Sequence, residues 1–331
     1  VYGGLQDNHS FMGPSRTRRW AGIVNDDWQQ VGYGDGMFWQ PDGTDDLFAY
    51  GTSNDGTYFR FNPITGDMLD IGPEAPVGEE EYRFDWTSPA LVSQHDPATV
   101  YVAGNRLFIS HDRGESWERT MDLSKQVDRD TVPLMGVPGG EITISRNDGT
   151  GSYGEAVAIG ESPLDPNVLW VGMDDGNLQV SQDGGATWNE VSGNVPGLPA
   201  GTYVSRITPS ATSPGTAYGA FDAHRDGDFA PYLFRTTDFG ATWEPLMDGL
   251  PSGSVNDVIE HPDNPSVLFL GSEHHLFVST DAGESWARWP GMPTTHYDDL
   301  LIHPREKDLV IGTHGRSIWV LDDTRPIAEW T

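Results

Sequence analysis

The sequence predicts an all-β fold, a β-propeller of about seven four-stranded antiparallel blades, and three observations lead there. An eight-residue signature recurs four times along the chain. The apolar runs are only four to eight residues long, which is strand length. Gly at 40 and Pro at 24 punctuate the chain with turns, and no long amphipathic helix is evident. A multibladed propeller commonly uses about this length, so residues 1–331 are expected to form a single one.

The signature reads SHDRGESW (Ser110 to Trp117), SQDGGATW (Ser181 to Trp188), TTDFGATW (Thr236 to Trp243) and STDAGESW (Ser279 to Trp286). The Asp carboxylate can accept N–H bonds across its own turn, and the Gly can take a positive φ. The hydroxyls can close the loop, and the Trp leaves it to pack in a core. Four copies in one sequence context mean a repeated unit.

Each unit has the same grammar. An apolar strand A ends near Pro, strand B ends in Gly or acidic residues, strand C runs into the signature, and strand D follows. In chain order, VYGGLQDN reads as a B strand, with SFMGP and RRWAGI as C and D. GMFWQPD, LFAYGTSN, GTYFRFNPITGD and MLDIG keep the order with Asn62 and Gly66 in the turn. Four complete units then begin at LVSQHDP, AVAIGESPLDP, SRITPSAT and VNDVIEHPDN. DLLIHPREK, DLVIGTHG and RSIWVLDD make a last A, B and C. Spacings of 71, 55 and 43 residues between the signature Asp residues show that insertions vary while the unit stays near blade length. The longest insertion, 121–155, is rich in Gly, Pro and Asp and is expected to be loop. The tail RPIAEWT is a candidate closing strand, the alternative being an A strand upstream of Val1. The chain opens without Met or a charged-then-apolar leader, so it reads as a processed product or the C-terminal part of a longer chain.

Fifty acidic residues against 19 basic ones give a formal net charge of −31. That argues against phosphate backbones and anionic lipid, so no nucleic-acid partner is expected. The acidity is read as a highly soluble surface or as adaptation to salt. There is no cysteine, which excludes disulfides and thiol chemistry, and no apolar run encodes a transmembrane helix.

The four octapeptides resemble the Asp boxes of the Asp-box, or BNR-repeat, β-propellers, a group spanning sialidases, xyloglucanase-like glycoside hydrolases and sortilin-type receptors. VYGGLQDNHSFMGPS, ESPLDPNVLWVGMDDGNLQVSQDGGATW, GTAYGAFDAHRDGDFAPYLFRTTDFGATW and IGTHGRSIWVLDD look like bacterial proteins labelled sortilin-like or glycosyl hydrolase. The Arg-Ile-Pro motif of sialidases is missing, Arg206-Ile207-Thr208-Pro209 being a near miss, and the cysteine-rich module of sortilin-type receptors cannot be built. The resemblance implies an extracellular, periplasmic or cell-surface module that binds a protein, peptide or glycan and could belong to a larger chain or complex. The alternative is a glycoside hydrolase.

The same resemblance puts the boxes on C-to-D turns, so Asp112, Asp183, Asp238 and Asp281 are expected to be structural. The opposite face, of B-to-C turns and D-to-A loops, is then the usable one. Its turns carry Asp7 and His9, Arg106, Asp174 and Asp175, Asp222, His224, Arg225 and Asp226, Glu273, His274 and His275, and His314 with Arg316. Five of the ten histidines fall in these short turns. Asp174, Asp175, Asp222, Asp226 and Glu273 are the candidate catalytic carboxylates for glycoside hydrolysis. Asp7, His9, Arg106, His224, Arg225, His274, His275, His314 and Arg316 are candidates for ligand binding. His9, Glu273, His274, His275 and His314 could ligate a divalent cation such as zinc. The oxygen-rich DAHRDGDF segment suggests calcium instead, though without EF-hand spacing. His95, His261 and His303 lie near Pro on A-to-B turns and are read as structural. Trp20, Trp28, Tyr33, Trp39, Tyr82, Trp86 and Tyr297 are either sugar-stacking platforms or inter-blade core.

Overall fold

The computed structural model describes residues 1–44, 48–134, 136–142 and 153–330. The fold is a β-propeller of antiparallel sheets in the predicted A-B-C-D order. It divides into two compact units, Val1–Arg129 with Ile144–Ile159, and Asp130–Thr143 with Gly160–Thr331.

The first unit holds three sheets. Blade 1 has three strands, Tyr2–Gly4, Ser10–Met12 and Gln29–Gly32. Blade 2 comprises Trp39–Pro41, Ala49–Thr52, Tyr58–Phe61 and Met68–Asp70. Blade 3 comprises Ala90–Val92, Val100–Ala103, Leu107–Ser110 and Glu118–Arg119. The opening B and C strands are where the sequence places them, but strand D of blade 1 is Gln29–Gly32 and not Arg18–Ile23. The RRWAGI segment has no face to bury. Trp20 is wholly exposed and Gly22 turns the chain at φ +74°, whereas Val31 in the true strand is buried. Tyr50, Tyr58, Ile71, Val92, Val100, Val102 and Phe108 form the core between blades 2 and 3.

In the second unit, blade 4 continues from strand Ala156–Ser162 through Asp165–Met173, Leu178–Ser181 and Asn189–Glu190. Blade 5 is Tyr203–Pro209, Ala217–Asp222, Leu233–Thr236 and Glu244–Pro245. Blade 6 is Val255–His261, Asn264–Ser272, Leu276–Ser279 and Ala287–Arg288. Blade 7 has three strands, Tyr297–Ile302, Leu309–Thr313 and Ile318–Leu321. Within the insertion at 121–155, Pro133–Leu134 and Val137–Pro138 pair as a small hairpin, and residues 143–152 of it lie outside the described residues.

Within the second unit, blade 6 packs on both faces, which is why its central B strand carries an uninterrupted apolar run. Along Val267-Leu268-Phe269-Leu270, alternate side chains go to opposite neighbours. Leu268 and Leu270 meet Tyr218, Leu233 and Val255 on the blade 5 side, while Val267 and Phe269 meet Tyr297, Leu300 and Ile311 on the blade 7 side. Gly271 ends the run because a Cβ there would lie 2.5 Å from the Tyr297 carbonyl oxygen.

The tail is not a strand. Arg325–Trp330 is a short α-helix. Pro326 suits a first turn that follows Thr324, whose carbonyl accepts from Ile327 and Ala328 N–H. Asn264 Nδ2 donates to the Ala328 carbonyl (2.8 Å), and the buried His261 Nε2 meets Thr324 Oγ1 at 3.0 Å. That contact gives His261 the structural role expected of it.

Candidate functional site

The Asp boxes close on themselves. In blade 6, Ser279 Oγ donates to Asp281 Oδ1 (2.7 Å) and accepts from Gly283 N (2.8 Å). Ser285 N and Oγ then donate to the two oxygens of Asp281 at 2.9 and 2.6 Å. Asp112, Asp183 and Asp238 repeat the pattern, and hydrogen bonds from Ser116 and Ser110 hold the Asp112 carboxyl down at about 2. Their lone pairs are committed to the turn. The Trp is less buried than expected. Only Trp243 is fully covered, while Trp117 and Trp286 are half-buried and donate to carbonyls of the preceding blade, Ile71 and Leu246. On this side a cavity of about 360 Å³ is lined by Arg60, Asp70, Ile71, Glu115 and Trp117. Its polar groups are already paired, Arg60 with Glu115 at 2.7 Å and the Trp117 indole with Ile71, so it is not the site.

The opposite ends of blades 5, 6 and 7 gather the titratable groups. Strand A of each carries one extra residue against its partner near this rim: between Tyr203 and Arg206, at Asn256, and at Asp298. Such bulges re-aim side chains. On blade 5, His224 Nδ1 lies 2.6 Å from Asp222 Oδ2, and Ser254 Oγ donates to Asp222 Oδ1 at 2.5 Å. The hydrogen bond to Asp222 raises the His224 pKa, and the added negative charge of Glu273 acts in the same direction. Burial alone would raise the Asp222 carboxyl, but the bonds from His224 and Ser254 bring it below the ordinary value. From there, Glu273 N donates to the Ser254 carbonyl, and Glu273 faces His274 Nε2 at 4.0 Å and His296 Nε2 at 3.9 Å. His296 Nδ1 faces Asp298 at 3.9 Å, and His314 Nδ1 faces the same carboxylate at 3.7 Å. Partial burial raises Asp298, while His296 and His314 pull it back.

Beneath this chain, Arg206 bridges the three blades. It meets the buried Asp257 at 3.0 Å and Asp299 at 2.7 Å. Burial pushes the Asp257 carboxyl up, against the pull of Arg206. The residue that nearly matched a sialidase motif thus serves as an inter-blade clamp.

Asp222, His224, Glu273, His274 and His314 fall on this rim as expected. Asp226 and Arg225 occupy the same exposed turn, where Arg225 lies over the Tyr203 ring at 5.6 Å. Arg316 is exposed on the last turn. Asp174 and Asp175 are instead buried, at 4 % and 2 % exposure, with Asp175 Oδ1 accepting Asn177 N; as carboxylates of an open cleft they do not serve. His275 is half-buried against Phe277. Within the DAHRDGDF turn two of the three carboxylates already have protein donors, Asp222 as above and Asp228 from Ala230 N and Tyr232 Oη, while Asp226 is exposed.

In the first unit, Asp7 N donates to Asp35, the His9 Nδ1 atom is enclosed, and Arg106 donates to the Thr120 carbonyl. Arg106 lines a small cleft of about 80 Å³ with Tyr82 and Asp122. Of the aromatic residues, Tyr297 is buried core and Trp39 stacks on Tyr2.

Sequence reasoning missed Ser254, Asp257, His296, Asp298 and Asp299. They lie where D-to-A connections enter strand A, which is the other half of the same face. The His-x-Asp spacing at 296 and 298 was the available signal.

A profile of the sortilin Vps10 family (sortilin, neurotensin receptor 3) matches residues 232–325, and the BNR/Asp-box repeat matches residues 108–119. The chain is 25% identical over 283 residues to an oligoxyloglucan-reducing end-specific xyloglucanase of Emericella nidulans, covering 83% of this chain and 26% of that protein. A xyloglucanase of Paenibacillus sp is 25% identical over 270 residues, 72% of this chain and 23% of its own length. The chain thus spans about a quarter of these relatives. Among solved structures, the GH74 xyloglucanase of Xanthomonas campestris superposes with a TM-score of 0.58 at 16% identity, over 84% of this chain and 42% of that one. YCF48 from Cyanidioschyzon merolae gives 0.57 at 9% identity, over 98% and 96%. With four self-closing octapeptides on C-to-D turns of four-stranded antiparallel sheets, the chain is an Asp-box, or BNR-repeat, β-propeller.

Proposed function

We propose that the rim of blades 5 to 7 is a glycan-recognition surface, acting outside the cytoplasm on chains of the β-glucan class. The observation that carries this reading is the run of exposed or half-exposed imidazoles and carboxylates from Asp222 to His314. Planar donors and acceptors of this kind match the hydroxyls of a sugar, and Tyr203 and the exposed Phe229 add apolar faces beside them. The relatives named for xyloglucan supply the ligand class. Isothermal titration of the whole chain with xyloglucan oligosaccharides is expected to give saturable binding. Glu273→Gln and His296→Ala should each weaken it by about tenfold, or roughly 1.4 kcal/mol. A flat titration across xyloglucan and cellulose-type oligosaccharides, with a hit on a peptide array, would replace this reading by protein binding.

Hydrolysis is the second reading, favoured by the join between Asp222 and Glu273 through Ser254. Asp222, whose carboxyl the bonds from His224 and Ser254 hold below its ordinary value, suits a base or nucleophile, with Glu273 as the partner carboxylate. Release of reducing ends that Asp222→Asn abolishes would establish it, and binding without turnover would exclude it.

A further inference from the structure

Blade 7 brings two imidazoles and a carboxylate together. The His314 N–H donates to the His296 carbonyl (3.0 Å), and Thr295 Oγ1 donates to the His314 carbonyl (2.9 Å), so these two bonds set the two histidines opposite each other. Their rings stand 5.7 Å apart. The bulge then supplies Asp298, with Oδ1 3.9 Å from His296 Nδ1 and Oδ2 3.7 Å from His314 Nδ1.

These separations differ in kind from the 2.6 Å contact of His224 with Asp222 one blade away. They are too long for a direct hydrogen bond. Each His–Asp separation approaches the roughly 3.4 Å between two ligands on one ion with metal bonds of about 2.0–2.1 Å in a tetrahedron. The three ligand atoms do not all lie within 4.8 Å of one another, so binding requires the imidazoles to turn toward a shared ion. The side chains of His296 and Asp298 are 48% exposed and that of His314 is 73%, which leaves all three room to rotate. The far nitrogen of His296, Nε2, faces Glu273 at 3.9 Å, which favours Nδ1 as its free ligand atom. Asp299 and the buried Asp257 nearby make the surroundings anionic around Arg206.

We propose that His296, Asp298 and His314 bind a divalent transition-metal ion of the zinc class through two imidazole nitrogens and a carboxylate oxygen. Two nitrogens with one oxygen select such an ion over calcium or magnesium, whose sites are built from oxygen. Three protein ligands leave a fourth position for water or a hydroxyl of a bound molecule. The site shares His296, Asp298 and His314 with the proposed glycan surface, and zinc binding is read in the absence of any glycan, so the two readings fail separately.

The test uses the tag-free whole chain, stripped with chelator and titrated with zinc chloride by calorimetry. One equivalent is expected to bind. Asp298→Asn and His314→Ala should each weaken binding by about tenfold or more, with His111→Ala unchanged. Loading with Co²⁺ should give visible tetrahedral absorption bands that Asp298→Asn removes, and circular dichroism of the variants controls for folding. No heat and no cobalt bands, or wild-type affinity in the Asp298→Asn/His314→Ala double variant, would overturn the proposal.

Discussion

His224 and Asp222 illustrate how one contact on the rim acquires a pH dependence. The folded histidine titrates above its ordinary 6.5 because Asp222 holds its proton, so its contribution is complete below 6.5 and is lost as pH rises through the folded value. The folded aspartate titrates below its ordinary 3.8, so its contribution is present above 3.8 and is lost as pH falls through the folded value. The pair therefore stabilises most between those two limits. NMR titration of the His224 ring should give a pKa above 6.5, and Asp222→Asn should bring it down; an unchanged value in the variant would remove Asp222 as the cause. These individual roles were only half legible in the sequence. Histidines concentrated in short turns marked the rim, but whether a given Asp is exposed, like Asp226, or buried, like Asp174, depends on its turn's packing.

At the scale of elements, polar side chains stitch neighbouring blades. The buried Glu260 of blade 6 accepts from Ser210 Oγ at 2.8 and 2.9 Å, Ala211 N at 3.1 Å, Thr212 Oγ1 at 3.1 Å and Tyr218 Oη at 2.8 Å, all on blade 5. Glu260→Ala would leave those donors without their acceptor inside the fold. The expected cost is about 3–5 kcal/mol, read from urea unfolding of the variant against wild type. A loss below about 1 kcal/mol would mean that water replaces the carboxylate. Strands of this kind were readable because their apolar runs are local. Strand D of blade 1 and the tail were not, since a three- or four-residue strand carries too little pattern, and the helix depends on docking to His261 and Asn264.

For the whole molecule, the net charge of −31 and the Asp boxes act in opposite directions on acidification. Added salt screens self-repulsion and should raise the melting temperature near neutral pH. Acidification toward the ordinary carboxylate range of about 4 removes part of the same charge. Below 3.8 the sign reverses, because Asp112, Asp183, Asp238 and Asp281 all titrate lower when folded and lose their bonds as they protonate. Denaturation midpoints across pH at low salt should pass through a maximum before falling steeply; a monotonic decline from neutrality would show that repulsion is minor. The repeat was legible at this scale because each box is complete within eight residues. The group at His296, Asp298 and His314 was not, since it needs two distant strands in register.

The bulge at Asp298 has a consequence for how such a rim can change. Side-chain direction alternates along a strand, so one inserted residue reverses the parity of everything beyond it while the paired segment keeps its register. Asp299 through Ile302 continue to pair with Leu309 through Gly312, and only the few residues ahead of the bulge are re-aimed. Because blades 5, 6 and 7 each carry one such step at the same end, their rim can be rewritten by the length of the chain as well as by its letters, with no alteration to the core beneath.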